Sequence, residues 1–205
     1  RILLNHQTNP ADLPSGLIDL LMTSPHQSIR AIGIQIFGNL PDATLLNQYS
    51  LLLTLATHEL PEIRNAIRPA IRRLATNHPD FAARFISELI RILTQPEAQE
   101  GIHASIVLQL KEDLPEWMNA VTKDTALQML KAKSSATQEL AGHIISANCN
   151  NWANEFETFE IVKLADNEIL SVREAAREIF LHNLNRLRGN EQEMLATVKL
   201  VECKW

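Results

Sequence analysis

Histidine and cysteine are the side chains best suited to hold a metal or attack a carbonyl, and the chain has seven of the first and two of the second. His6, His26, His58, His78, His103, His143 and His182 are scattered, with no His-Glu-x-x-His pair and no close His/Cys cluster of ligand spacing. His143 and Cys149 are six residues apart, which does not place them on one helix face. Histidines set in helix surfaces and turns are the plainer reading, so no metal site is expected. Nucleophilic catalysis lacks its usual frame as well: there is no Gly-x-Ser-x-Gly elbow, and six glycines leave little material for a phosphate-cradling loop. Glu155, Glu157 and Glu160 form an acidic cluster that reads as the solvated start of a helix, where carboxylates meet the positive end of the macrodipole. No cofactor is expected.

Composition narrows the class. The 205 residues are 45% hydrophobic and only 5% aromatic, with 6 Gly and 9 Pro, which excludes collagen, extended disorder and a turn-rich β-sandwich. The formal charge of -5 and a pI near 5.8 argue against a protein that coats nucleic acid along its whole surface. Cys149 and Cys203 lie in apolar or end-of-helix settings and form no disulfide framework, so a reduced, cytoplasmic chain is expected. No apolar run reaches the roughly 18 residues of a membrane span, since even Ile29 to Leu40 is broken by Arg30, Gln35 and Asn39. No basic-then-apolar leader is visible.

The elements that must position these residues repeat. Leu21–Arg30, Leu55–Arg64 and Leu164–Arg173 align without gaps: each ends one apolar-periodic run, crosses a polar connection and opens the next run on an aliphatic-Arg pair. The runs that follow share apolar positions at 0, +3, +4, +7, +8 and +11, one face of an α-helix. They start at Ile29, Ile63 and Val172, with weaker copies at Ile102 and Thr137, spaced by 34, 39, 35 and 35 residues. The spacing predicts second helices over 28–40, 62–76, 100–114, 137–148 and 171–188. First helices are predicted over 11–22, 42–57, 80–94, 115–133 and 152–168, and a sixth over 190–203. Asp42 and Asp80 are placed at or near N-caps, Pro69 is expected to kink its helix, and Trp117 and Trp152 are expected to anchor neighbouring repeats.

These repeats resemble the HEAT-repeat family in the residues Leu164-Ala165-Asp166 leading to Val172-Arg173-Glu174-Ala175-Ala176, and next best in Ile63-Arg64-Asn65-Ala66. The third and fourth repeats depart from the pattern, with His103 and Gln138 in place of the arginine. The resemblance covers nearly the whole chain. It implies an all-α fold, a right-handed α-solenoid of about five antiparallel helix pairs (11–40, 42–76, 80–114, 115–148, 152–188) plus a terminal helix, forming one domain over 1–205. Arg1–His6 echoes Arg73–His78 and the helix at 190–203 lacks a successor, so an excerpt of a longer array is expected.

Charge is divided between the two helix sets: the second helices sum to +3 and the first helices to -8. As the resemblance implies, second helices line the concave, partner-binding surface. Arg64, Arg68 and Arg72 recur every four residues and form one stripe, which is self-repelling unless an anion lies across it. Arg30, His103 and Arg173 stand at the Arg64 position in other repeats, Lys111 at that of Arg72, and Arg177 one turn after Arg173. The alternative reading of the stripe is a solvated face paired locally with acids such as Glu62. The expected function is therefore a non-catalytic protein-protein interaction scaffold whose partly basic concave face binds an acidic segment of a protein partner, with no membrane contact. The alternative is a base-excision enzyme of the HEAT-like DNA glycosylase type with nucleic acid as partner, although no tryptophan pair with an Asp accompanies the repeats. A chromophore-lyase subunit is a third class the resemblance admits, with no residue here pointing to it.

Overall fold

A helix is favoured wherever apolar residues recur three and four apart, and that spacing is kept along most of this chain. The computed structural model describes residues 15–114 and 116–187, and every regular element among them is helical. At the positions expected for second helices stand α2 (Gln27–Gly38), α5 (Pro61–Asn77), α7 (Ile102–Asp113), α9 (Ser135–Ala147) and α12 (Leu170–Leu187). Each falls within two residues of its expected bounds.

The first helices are less regular. They are α1 (Ser15–Met22), α3 (Asp42–Leu46) with α4 (Tyr49–Ala56), α6 (Pro79–Leu93), α8 (Lys123–Met129), and α10 (Cys149–Trp152) with α11 (Thr158–Ala165). The run expected over 42–57 breaks at Asn47–Gln48. The run over 115–133 becomes a short 3₁₀ turn, Trp117–Ala120, followed by α8, because Thr122 is an N-cap whose Oγ1 accepts from the Thr125 N–H. The run over 152–168 breaks where Glu157 caps α11: its side chain accepts from the backbone of Glu160, and the Glu160 carboxylate accepts from the Glu157 N–H. Local capping thus outweighs the apolar period in two of the five, while the break at Asn47–Gln48 has no side-chain cap. The helix expected over 190–203, Arg1–His6 and Cys203 lie outside the described residues.

The chain divides into two compact units, one comprising the residues up to Leu89 with Ala98–Ala120, the other Ile90–Glu97 with the residues from Val121 onward. In the first, α5 touches α2, α4 and α7, and α1 packs on α2. Ile63, Ile67, Ile71 and Leu74 of α5 are buried against Ile34, Ile36, Phe37, Leu52, Ile106 and Leu110, the core of this unit. Tyr49 meets the stacked rings of Phe81 and Phe85 edge-on, and the Arg84 guanidinium lies over the Tyr49 ring at 4.0 Å. Helix α5 runs continuously through Pro69, and Trp117 is buried. In the second unit α12 packs on α9 and α11 through Val172, Ala175, Ala176 and Ile179. There α9 and α12 approach so closely that a Cβ on Gly142 would sit 2.6 Å from the Ser171 carbonyl carbon, so only glycine fits.

One device recurs in the turns. Arg30 Nη1 donates to the carbonyls of Ser24 and Pro25, Arg64 Nη1 to those of His58 and Glu59, and Arg173 Nη1 to those of Asn167 and Glu168. In each case the acceptors are six and five residues earlier. The residue six back also receives the backbone N–H two positions on: Ser24 Oγ from His26, His58 Nδ1 from Leu60, Asn167 Oδ1 from Ile169. Carbonyls in a turn have no donor from a helix ladder, and a guanidinium can serve two at once. In the fourth repeat Gln138 Nε2 donates to Ala132, again six back.

Candidate functional site

Helix α5 presents Asn65, Pro69, Arg72, Thr76 and Asn77 on its exposed side, while its opposite side forms the core. The exposed side lines a cleft of about 650 Å³ together with Arg68, Arg73 and Asp113 of α7. Asp113 is the pivot: its side chain is 2% exposed and receives Arg68 Nε at 2.5 Å on one oxygen and Arg72 Nη2 at 2.6 Å on the other. Arg68 Nη2 also reaches Glu112 Oε2 at 2.8 Å, and Arg72 Nη2 donates to the Glu112 carbonyl at 3.1 Å. The hydrogen bond to Asp113 raises the Arg68 pKa above its ordinary value against the opposing effect of burial.

The anion that the arginine stripe calls for is therefore supplied by the chain itself, from Asp113 and Glu112 rather than Glu62. Two guanidiniums share one buried carboxylate, which fixes their planes and ties α5 to α7. Arg72 nevertheless remains 58% exposed. At the other end of the cleft Arg73 donates from Nε to Asp42 at 2.9 Å and from Nη2 to the Leu40 carbonyl. Asp42, which opens α3 behind the N-cap Pro41, also receives Asn77 Nδ2 at 3.2 Å and lies 3.0 Å from His78 Nε2. The hydrogen bond from Asn77, with those from His78 and Arg73, lowers the Asp42 pKa against the opposing effect of burial.

The expected partner-binding residues separate into groups. Arg30, Arg64 and Arg173 are committed to their own turns; Arg64 is only 6% exposed and adds a bond from Nε to Ser105 Oγ. Burial and these bonds remove Arg64 from an accessible binding face. His103 is 1% exposed, so it too is inaccessible from outside. Lys111 is exposed on α7, and Arg177 is exposed on α12 in the second unit. Arg68 and Arg72 alone come together in a cleft. The rest of its lining, Asn65, Pro69, Arg73, Thr76, Asn77 and Asp113, is not among the residues expected to bind; the one signal for it is the exposed row 65, 69, 72, 76 along one side of the helix.

A second, smaller cleft of about 240 Å³ adjoins the first, sharing Asn65, Pro69 and Arg73 and adding Gln35 and Gly38 of α2 and its C-cap Asn39 with Ala66 and Ala70. Among the described residues no group of three or more His, Cys, Asp or Glu could hold a metal ion, and no helix is long and apolar enough to cross a membrane. Cys149 is a buried free thiol whose pKa burial raises. No family model, curated protein or solved structure matches the chain.

Proposed function

We propose that the chain is a non-catalytic interaction scaffold, a right-handed α-solenoid of HEAT-like helix pairs, whose second-helix side holds an acidic segment of a protein partner. The recurrence of one turn device at Arg30, Arg64 and Arg173, with a single-carbonyl version at Gln138, supports a repeat architecture. The observation that carries the binding role is the α5 cleft, lined by three guanidiniums and one carboxylate, with Arg72 more than half exposed. An incoming carboxylate meets donors already oriented by Asp113 and Asp42, so little side-chain entropy remains to be lost on binding. Duplex DNA suits this cleft less well, because Glu112 and Asp113 stand where a phosphate chain requires uncompensated positive charge.

The test is quantitative affinity capture by the full chain and by Asn65→Glu/Thr76→Glu, which sets two carboxylates beside the guanidiniums of the cleft at exposed positions. Loss of a defined set of captured proteins, with the helical circular dichroism unchanged, is the expected outcome. Capture of an identical set by both proteins contradicts the proposal.

A further inference from the structure

We infer that the smaller cleft grips the main chain of an extended peptide segment while the adjoining arginine cleft takes one of its carboxylate side chains. The inference rests on the scaffold reading above and names the chemistry of its occupant.

Gln35 in the last turn of α2 and Asn39, its C-cap, lie four residues apart, and Asn65 of α5 lines the same cleft. All three are exposed, and their side chains hold no hydrogen bond to another described residue. A carboxamide offers one carbonyl acceptor and an NH₂ donor, the complement of a peptide group, so it can pair with a backbone N–H and C=O together whatever side chains the segment carries. The floor is made of Gly38, Ala66 and Ala70, and a Cβ on Gly38 would lie 3.1 Å from that of Ala70. No bulky floor residue keeps a peptide backbone away from the amides. Pro69 adds a further acceptor: it has no N–H, so the Asn65 carbonyl lacks its ordinary helical donor, and both residues line both clefts. A backbone N–H of the segment can take that place.

The two clefts are joined through Asn65, Pro69 and Arg73. Arg72 and Arg73 each use Nε and Nη2 within the chain, which leaves Nη1 of both for a ligand. A main-chain grip by amides beside two guanidinium edges specifies an extended peptide bearing Asp or Glu, and little else about its sequence.

The experiment selects binders to the full chain from a random twelve-residue peptide library. The dominant peptide is then synthesised unmodified, N-methylated at alternate residues, and with its acid changed to the amide. Binding is measured by fluorescence anisotropy against the parent chain, Gln35→Ala/Asn39→Ala/Asn65→Ala and Arg72→Ala, all altered at exposed positions. N-methylation and the triple alanine variant are each expected to weaken binding about tenfold or more, and removal of the acid or of Arg72 about three- to tenfold without adding to one another. Binding indifferent to N-methylation or to the triple variant overturns the main-chain grip, as does the absence of any enriched peptide. If Asn65→Glu/Thr76→Glu still releases captured proteins in those cases, the scaffold reading stands without it; if it releases none, both fall.

Discussion

Gln138 donates its Nε2–H to the carbonyl of Ala132 at 2.7 Å, six residues back, the position that an arginine reaches in the turns closed by Arg30, Arg64 and Arg173. A carboxamide serves one carbonyl where the guanidinium serves two, so the turn before α9 is the weaker version of the same device.

Gln138→Arg is therefore expected to stabilise the chain, by about 0.5–1 kcal/mol, as a second turn carbonyl gains a donor. Arg173→Lys should lose about 1 kcal/mol despite keeping its charge, since an ammonium on a flexible stem does not hold two carbonyls in a plane. Urea midpoints of the two variants test this directly. Equal stability of Lys and Arg at 173 counts against the clamp.

Asp113 carries the tie between α5 and α7. Asp113→Asn keeps its shape but withdraws the charge that Arg68 and Arg72 share in a buried setting, and should cost about 3 kcal/mol. Arg72→Ala should cost less than about 1 kcal/mol, because its side chain is mostly solvated. Denaturant unfolding gives the order; a larger loss at Arg72 than at Asp113 contradicts the geometry.

Asp42 ties stability to pH. Its pKa is lowered from the ordinary 3.8 in the folded chain, so between the two values the unfolded state binds more protons. The stabilisation is complete above the unfolded value and is lost as pH falls through the folded one. Asp42→Asn should flatten this part of the acid limb below about pH 4 and leave the profile from pH 5 to 7 unchanged in shape. A variant whose acid limb matches the parent's rules out this assignment.

Gly142 and Gly16 make a matched pair. Gly142→Ala forces a methyl onto the Ser171 backbone and should destabilise by about 1–3 kcal/mol. Gly16→Ala, in α1 with nothing within 4 Å of the added carbon, should stabilise by about 0.5–1 kcal/mol through helix propensity. Thermal melts of both variants suffice, and a neutral Gly142→Ala argues against close approach of α9 and α12.

The second helices were legible because one apolar stripe serves one continuous core, as Ile63, Ile67, Ala70, Ile71 and Leu74 show. The first helices were not, because Thr122 and Glu157 cap new helices inside stretches whose apolar period continues across them. The arginines were found by spacing, but their roles were hidden. Arg64 and Arg173 act on carbonyls that every residue type possesses, and Arg68 finds its carboxylate 45 residues away on Asp113, a contact that helix periodicity does not encode. The amides of Gln35, Asn39 and Asn65 leave no pattern of their own, since exposed amides also decorate faces with no site.

The most direct test of the account is nuclear magnetic resonance of the full chain, with side-chain amide and guanidinium nitrogens labelled, titrated with the selected acidic peptide. Saturable shifts at Gln35, Asn39, Asn65, Arg72 and Arg73 are predicted. Shifts confined to labelled nitrogens of the second unit, such as those of the exposed Gln128, Asn151 and Arg177, would contradict it.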